Sequence, residues 1–280
     1  MPALSAIVTT LDNARTLEAC LASIVFADEV LVLDSGSTDD TLAIARRFNA
    51  RIEHQAFLGY GRQKQRAAEL ATHDWILLLD ADEALSVEAQ GEIRALMAGA
   101  GDASTAALDK ARVAGYTLPR REQRFWRMSH PKVRHNRFLR LYDRRCGRVS
   151  DDPVHAAPKV EGDVGRLRGE LYHYGETSVR VKLAKVSSYA AGLVSAKRAR
   201  HRRARPWMML VYPPLVFIRS YFFKRLFLDG WAGFIAAVVM AQYAFLKHAL
   251  WFEAERHESD AGKGMPSGAP PPPPPPVGPT

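Results

Sequence analysis

Apolar residues crowd into four short runs within the first 80 positions, each bounded by polar or acidic residues: SAIVTT (5–10), EVLVLD (29–34), ARIEHQ (50–55) and WILLLD (75–80). The fourth reads as a strand buried on both faces, and the first three as further strands. Between the runs the period changes to that of a helix. Leu17, Leu21 and Ile24 share one helical face, with Asn13 as the expected N-cap. Leu42, Ala45 and Phe48 line a second helix capped by Ser37, with Asp40 at N3 in an imperfect capping box. Residues 62–71 predict a third helix, and Ser86 caps a fourth that runs to about Met97. Strands separated by such helices imply parallel βαβ units, whose ligands bind beyond the carboxyl ends of the strands. Asp34, Asp80 and Asp82 all fall there.

The pattern changes after residue 98. AGAGDASTAALDKA (98–111) reads as a surface connection, RFLRLYD (137–143) and GELYHYG (169–175) as strands, and 179–193 as a helix with Leu183, Val186, Ala190 and Leu193 on one side. The basic run AKRARHRRAR (196–205) then precedes an apolar stretch from Trp207 to Phe252. From Glu258 the chain is rich in Gly and Pro, a composition that predicts disorder or polyproline II without a core of its own. The expected organisation is an α/β domain over 1–175 with a mostly parallel sheet flanked by helices. A helical, membrane-proximal extension over 176–257 and a Pro-rich tail over 258–280 follow. No internal repeat is visible.

Composition narrows the classes. The chain has 280 residues, 47% of them hydrophobic, enough for a packed core. Its two cysteines, Cys20 and Cys146, lack metal-ligand spacing and suggest no disulfide framework, and Cys20 shares the apolar helix face of Leu17 and Ile24. LSAIVTTL near the start lacks the basic flank and length of a signal peptide, so a cytoplasmic location is expected. Charge is uneven: residues 1–109 carry eight Lys and Arg against 17 Asp and Glu, net −9, whereas residues 110–280 carry 31 against 13, net +18. A basic half can meet nucleic acid, an anionic membrane or a phosphorylated substrate.

Three carboxylates, Asp80, Asp82 and Glu83, stand directly behind the apolar run of WILLLD. At the end of a buried strand they can reach a cleft without entering the core. A D-x-D there can hold Mg²⁺ or Mn²⁺ between protein and a diphosphate, since hard cations take oxygen ligands. A solvated turn is the plain alternative. VLDSGSTDDT (32–41) places Asp34 at a second strand end, with Gly36 permitting close approach, an arrangement that can hold a nucleoside; ordinary capping of a strand-to-helix turn is the alternative.

AIVTTLDNARTLEACLASI, ADEVLVLDSGSTDDT, FLGYGRQKQRAAELATHDWILLLDADE and FLDGWAGFIAAVVMAQYAFLKHALWFE, taken in order, resemble the family-2 inverting glycosyltransferases of the GT-A fold. Within that family the pattern is similar to bacterial lipopolysaccharide-core β-1,4-glucosyltransferases. The resemblance spans roughly residues 4–255. It implies that Thr9 and Asp34 help seat the nucleotide, that Asp39 lies near the same pocket, and that Lys64 stands where many relatives carry an Arg. It further implies that Asp80 faces the ribose or donor sugar and that Asp82 binds the metal. His173, in LYHYG, resembles a late histidine that completes metal coordination in some enzymes of this fold; a packed, hydrogen-bonded His is the alternative.

Inverting transfer needs a base for the acceptor hydroxyl. SDDPVHAAP supplies Asp151, Asp152 and His155. Relatives commonly follow the Val-His pair with Glu, where this chain has Ala156, so Asp152 is the expected substitute, with Asp151 and Glu83 as alternatives. The function implied is transfer of a hexose, with UDP-glucose as the expected donor and a divalent metal as cofactor. The implied acceptor is a lipid-linked, phosphorylated lipopolysaccharide inner-core sugar, met while the enzyme rests peripherally on the anionic inner face of the cytoplasmic membrane. Transfer to a polyprenyl phosphate or another envelope glycan is the rival within enzymes. Outside them, the basic segment 110–148 admits a nucleic-acid-binding module, although no nucleic acid is expected, and the missing Glu admits a non-catalytic sugar-nucleotide binder.

Overall fold

A computed structural model describes residues 2–99, 113–151, 156–186, 190 and 205–260. The chain divides into two compact units, one of residues 1–179 with 228–232 and the other of residues 180–227 with 233–280. Asp152, His155, the connection 100–112 and the tail from 261 onward lie outside the described residues.

In the first unit β1 (Leu4–Thr10), β2 (Glu29–Asp34), β3 (Arg51–His54) and β4 (Trp75–Asp80) form parallel ladders in the order β3-β2-β1-β4. Alternation along these strands explains their apolar runs. Ala6, Val8, Val32, Leu77 and Leu79 pack to one side with Leu17, Cys20, Leu21 and Ile24. Ile7, Leu31, Leu33, Ile76 and Leu78 pack to the other with Ala67, Ala68 and Ala71. Period-2 geometry sends neighbouring residues to opposite faces, so a strand covered on both must be apolar throughout.

The helices are α1 (Ala14–Ala22), α2 (Thr41–Arg47), α3 (Tyr60–Leu70) and α4 (Val87–Met97). Ser86 caps α4 as expected, its hydroxyl accepting from Ala89 N–H at 3.1 Å. Two other caps differ from expectation. Asn13 occupies the N-cap of α1, but its amide donates to Leu11 O, and the first helical N–H, that of Ala14, goes to Asp39. Helix α2 starts at Thr41 rather than after Ser37, because the left-handed Gly36 (φ 106°) turns the chain and Ser37 donates back to Asp34. Ile44 and Ala45, with Thr41, supply its buried face, and Leu42 is only half-buried.

The sheet continues through β8 (Asn136–Asp143), antiparallel to β4, then β6 (Val113–Arg124), β12 (Leu171–His173) and β5 (Glu83–Leu85). Strands β7 (Arg127–Met128) and β11 (Asp163–Arg166) pair with β6, and β9 (Gly147–Val149) with β10 (Pro158–Val160) form a separate ribbon. Only Ala81 and Asp82 separate β4 from β5, yet β5 lies at the far end of the strand path. The mixed sheet therefore curls until its end meets the carboxyl end of β4. This is the α/β arrangement expected, with antiparallel strands added by the second half of the domain.

Residues 228–232 belong to this unit through Asp229. Its carboxylate is fully buried, paired with Arg124 at 3.0 Å and accepting His130 N–H at 2.6 Å. Such charge-assisted bonds make a buried carboxylate tolerable.

Residues 179–186 form α5. In the second unit α6 (Met208–Ile218) contains Pro213 and Pro214 and runs into a π-helical turn at Arg219–Phe223. Trp207, Leu210, Leu215, Phe222 and Phe223 are each more than half exposed. Helix α7 (Gly230–Asp260) runs on without interruption through Lys247. The segment Leu226–Arg256 is long and apolar enough to cross a membrane by length and composition alone, with 39% of its most apolar window buried inside the protein.

Candidate active site

Strand pairing brings the acidic end of β4 against the middle of the chain. The ladder β5–β12 places His173 opposite Glu83, and Tyr174 N–H donates to Asp82 O at 2.8 Å. His173 Nε2 consequently stands 3.3 Å from Asp82 Oδ2. On the next strand Glu122 is in register with His173, and its Oε2 lies 2.5 Å from Nδ1. Burial alone would lower the His173 pKa, but Asp82 and Glu122 outweigh it and raise it to about 9. Glu122 is half-buried, which by itself raises its pKa, but His173 and Arg120 outweigh this and hold it down to about 2.

Asp80 has different neighbours. Lys64 Nζ approaches Oδ1 at 2.5 Å and Arg140 Nη2 approaches Oδ2 at 3.0 Å. Burial pushes its pKa up, but these two cations win and hold it well below the ordinary carboxylate range. Arg140 also pairs with Glu83 at 2.5 Å, Arg120 reaches the same oxygen at 3.2 Å, and Glu83 Oε2 accepts Asp80 N–H at 3.1 Å. Alternating charges thus run from Lys64 through Asp80, Arg140, Glu83, Arg120, Glu122 and His173 to Asp82. Glu83, wholly buried and clamped by two guanidiniums, has no path to an acceptor hydroxyl. Its geometry speaks against the base role it shared as an alternative.

The loops after β1 and β2 form a latched rim. Asp34 accepts N–H from Gly36 at 2.9 Å and from Ser37, with Ser37 Oγ at 2.5 Å. Partial burial raises its pKa, and these bonds lower it further than burial raises it. Asp12, in the left-handed region at φ 51°, accepts Thr38 N–H at 2.7 Å, while its own N–H donates to Ser37 Oγ. Asp39 accepts from Ala14 and Thr41 N–H. The loops after β1 and β2 are tied across one another by these bonds. Thr9, at the carboxyl half of β1, is in register with Leu33 and Asp80, which puts it between the two acidic strand ends.

Asp151 stands apart from this cluster, largely exposed and 3.0 Å from Arg62. A Cβ on Gly61 would collide with the Ser150 carbonyl, so α3 and this loop approach closely.

The residues fit a divalent cation in one specific sense. Among the described residues no group of three or more His, Cys, Asp or Glu side chains is arranged to hold a metal alone. Asp82 and His173 offer two ligands side by side, and Gly175 leaves open the space where a Cβ would strike both. Mg²⁺ sites in nucleotide enzymes commonly take one or two protein ligands and fill the rest with phosphate oxygens and water.

Sequence reasoning did not single out Arg120, Glu122, Arg140 or Asp12. Arg120 and Glu122 lie two apart on β6 and Arg140 on the neighbouring β8, but β6 ends in the continuous polar run PRREQR and the charges of β8 stand three apart, so no period-2 pattern marked them in the sequence. The basic segment changes meaning accordingly. Arg120, Arg121, Arg124, Arg140 and Arg145 pair with carboxylates, and Arg137 and Arg144 donate to backbone carbonyls. Arg120, Arg121, Arg124 and Arg140 are thereby mostly shielded and committed to the fold, whereas Arg137 and Arg145 keep their partners at the exposed surface.

Comparisons with known proteins agree with one another. Residues 5–150 match the sequence profile described as Glycosyl transferase family 2. The lipopolysaccharide core biosynthesis glycosyltransferase LpsC of Rhizobium meliloti is 30% identical over 89% of this chain and 92% of its own. An uncharacterized glycosyltransferase of Rickettsia felis is 29% identical over 89% of each chain. Among solved structures, glucosyl-3-phosphoglycerate synthase of Mycobacterium tuberculosis, in complex with Mn²⁺, uridine diphosphate and glucosyl-3-phosphoglycerate, is 21% identical. It covers 44% of each chain at a TM-score of 0.33, a likeness too partial to bear on ligands here.

Proposed function

The chain belongs to glycosyl transferase family 2, and on that premise we propose that it transfers a hexose from a nucleotide sugar, UDP-glucose first among donors, to a phosphorylated sugar of the lipopolysaccharide inner core. The observation that carries this reading is the pairing of Asp82 with His173 beside a charge-neutralised Asp80 at the carboxyl end of β4. The relationship to LpsC supports the acceptor class.

Each residue then has a task. Asp34 and the latched loops after β1 and β2 form the wall on which Thr9 and Asp39 meet the nucleotide. Asp80, oriented by Lys64 and Arg140, accepts hydroxyls of the ribose or donor sugar. Asp82 and His173 would hold Mg²⁺ or Mn²⁺, and the cation would supply positive charge against the departing diphosphate. Asp152 takes the proton of the acceptor hydroxyl as that oxygen attacks the anomeric carbon, inverting its configuration; His155 and Asp151 share its loop.

The acceptor's lipid anchor requires a membrane face. From Thr177 to Leu228 the chain holds twelve Lys and Arg and no Asp or Glu, and the second unit exposes Trp207, Leu210, Leu215, Phe222 and Phe223. Basic charge beside exposed aromatic and aliphatic side chains suits the anionic cytoplasmic leaflet. The deciding experiment is a screen of nucleotide-sugar donors against lipid-linked core acceptors, with linkage analysis of the product. Transfer to a core acceptor supports the reading. Transfer only to polyprenyl phosphate redirects it, and donor binding without transfer or donor hydrolysis overturns it.

A further inference from the structure

His173 sits between two carboxylates, and only one of them faces the D-x-D turn. Its Nε2 looks toward Asp82 and its Nδ1 toward Glu122. We infer that Glu122 is a positioning residue: it fixes the ring of His173 so that Nε2 is the atom presented, with Asp82, to a divalent cation.

The geometry over-determines Glu122. The β6–β12 ladder sets it opposite His173, and period-2 alternation puts Arg120 on the same face of β6. Its Oε2 is 2.5 Å from Nδ1, and its Oε1 accepts from Arg120 Nε at 2.9 Å. Arg120 is itself fixed, with Nη1 3.2 Å from the fully buried Glu83 and its guanidinium stacked on Phe138 at 4.0 Å. Glu83 follows Asp82 directly in the chain, so both ligands trace back to one guanidinium: His173 through Glu122, and Asp82 through Glu83. Rotating Glu122 away would leave Arg120 and the imidazole each short of a partner in a largely closed site.

A carboxylate on the far nitrogen of a metal-ligating imidazole fixes the tautomer and strengthens the ligating nitrogen, and its loss typically weakens metal binding 10–100-fold. The same hydrogen bond in a purely structural role would move stability and leave metal affinity alone.

This inference rests on the assignment of Asp82 and His173 as metal ligands, and the test separates the two. Mn²⁺ is titrated into the full chain and its binding read from loss of the free-ion paramagnetic resonance signal, for wild type, Glu122→Ala, Glu122→Gln and, as a control on a comparable ion pair, Glu170→Ala. Thermal unfolding and metal-free UDP binding are measured on the same samples. The expected result is a dissociation constant raised about tenfold or more in Glu122→Ala. Glu122→Gln should fall between it and wild type, because its amide oxygen still accepts from Nδ1–H, and Glu170→Ala should match wild type. Should Glu122→Ala fail to fold, Glu122→Gln carries the decision. Wild-type Mn²⁺ affinity in the folded Glu122 variants overturns the role of Glu122 and leaves the metal site standing. Absence of Mn²⁺ binding by the wild type overturns the metal site and this inference with it.

Discussion

Lys64 Nζ lies 2.5 Å from Asp80 Oδ1, joining the first half of α3 to the last residue of β4 at a site where both side chains are mostly shielded from water. The pair orients a carboxylate that would otherwise be repelled by Asp82 and Glu83. Lys64→Met leaves Asp80 with Arg140 alone. Breaking a wholly buried pair costs about 3–5 kcal/mol, and the partial exposure and remaining cation here reduce that to about 1–2 kcal/mol. Urea unfolding should show that loss, and calorimetry should show weaker donor binding. Wild-type donor affinity in the folded variant would remove Lys64 from the donor site.

Asp82→Ala should abolish turnover dependent on Mn²⁺ or Mg²⁺ while leaving the fold intact, because Asp82 is one of only two protein ligands assigned to the cation. Circular dichroism and an activity assay with and without EDTA decide it. Near-normal activity in the folded variant, or full wild-type activity in EDTA, would sink the assignment.

For the proton acceptor, Asp152→Asn should reduce kcat strongly and leave donor affinity nearly unchanged, since a general base acts in the transition state. Asp151, already paired with Arg62 and open to solvent, should tolerate the same change with a smaller effect. Equal transfer rates in Asp152→Asn and wild type rule Asp152 out, and a loss of donor binding would move it to the nucleotide site.

Glu29 supplies a pH prediction away from the site. Its carboxylate accepts from Ser5 Oγ at 2.5 Å, Thr72 N–H at 2.7 Å, Thr72 Oγ1 at 2.8 Å and Arg51 at 3.0 Å, tying the start of β2 to β1 and to the turn before β4. Burial raises its pKa, and these bonds more than reverse that, leaving it below the ordinary 4.5. A depressed folded-state pKa adds stability above the unfolded value, and that stability is lost as pH falls through the folded value. Glu29→Gln should therefore cost about 1–3 kcal/mol at pH 7, and the gap to wild type should shrink below about pH 4.5. A gap independent of pH would show that shape, not charge, carries the effect.

Liposome flotation tests the membrane face. The full chain should bind anionic vesicles, more weakly at high salt, and more weakly still when the six Lys and Arg of residues 197–205 become Gln, since each basic residue near the surface contributes about 1 kcal/mol. Equal partitioning onto neutral and anionic vesicles would remove the electrostatic claim. Resistance to alkaline carbonate extraction from cells would show instead that Leu226–Arg256 spans the bilayer.

The apolar runs determined β2 and β4 to the residue and put Asp34 and Asp80 at strand ends with Asp82 just beyond, because burial on both faces writes itself into consecutive positions; the residue type of Ser86 marked the cap of α4 and the pattern its end near Met97. The order of those segments was also enough to point to the family. What the charges do was decided only by tertiary structure. Whether Glu83 is a base or a buried clamp, and whether the arginines of 120–145 face water or the core, depends on partners set by the ladders β6–β8, β6–β12 and β5–β12. Those pairings join residues far apart in the chain, and a one-residue slip in β5–β12 would turn His173 away from Asp82. Asn13 does take the N-cap position of α1, but the bond to the first helical N–H comes from Asp39, and Ser37, expected to cap α2, bonds across to the loop after β1; a local pattern carries no record of which loop a side chain reaches.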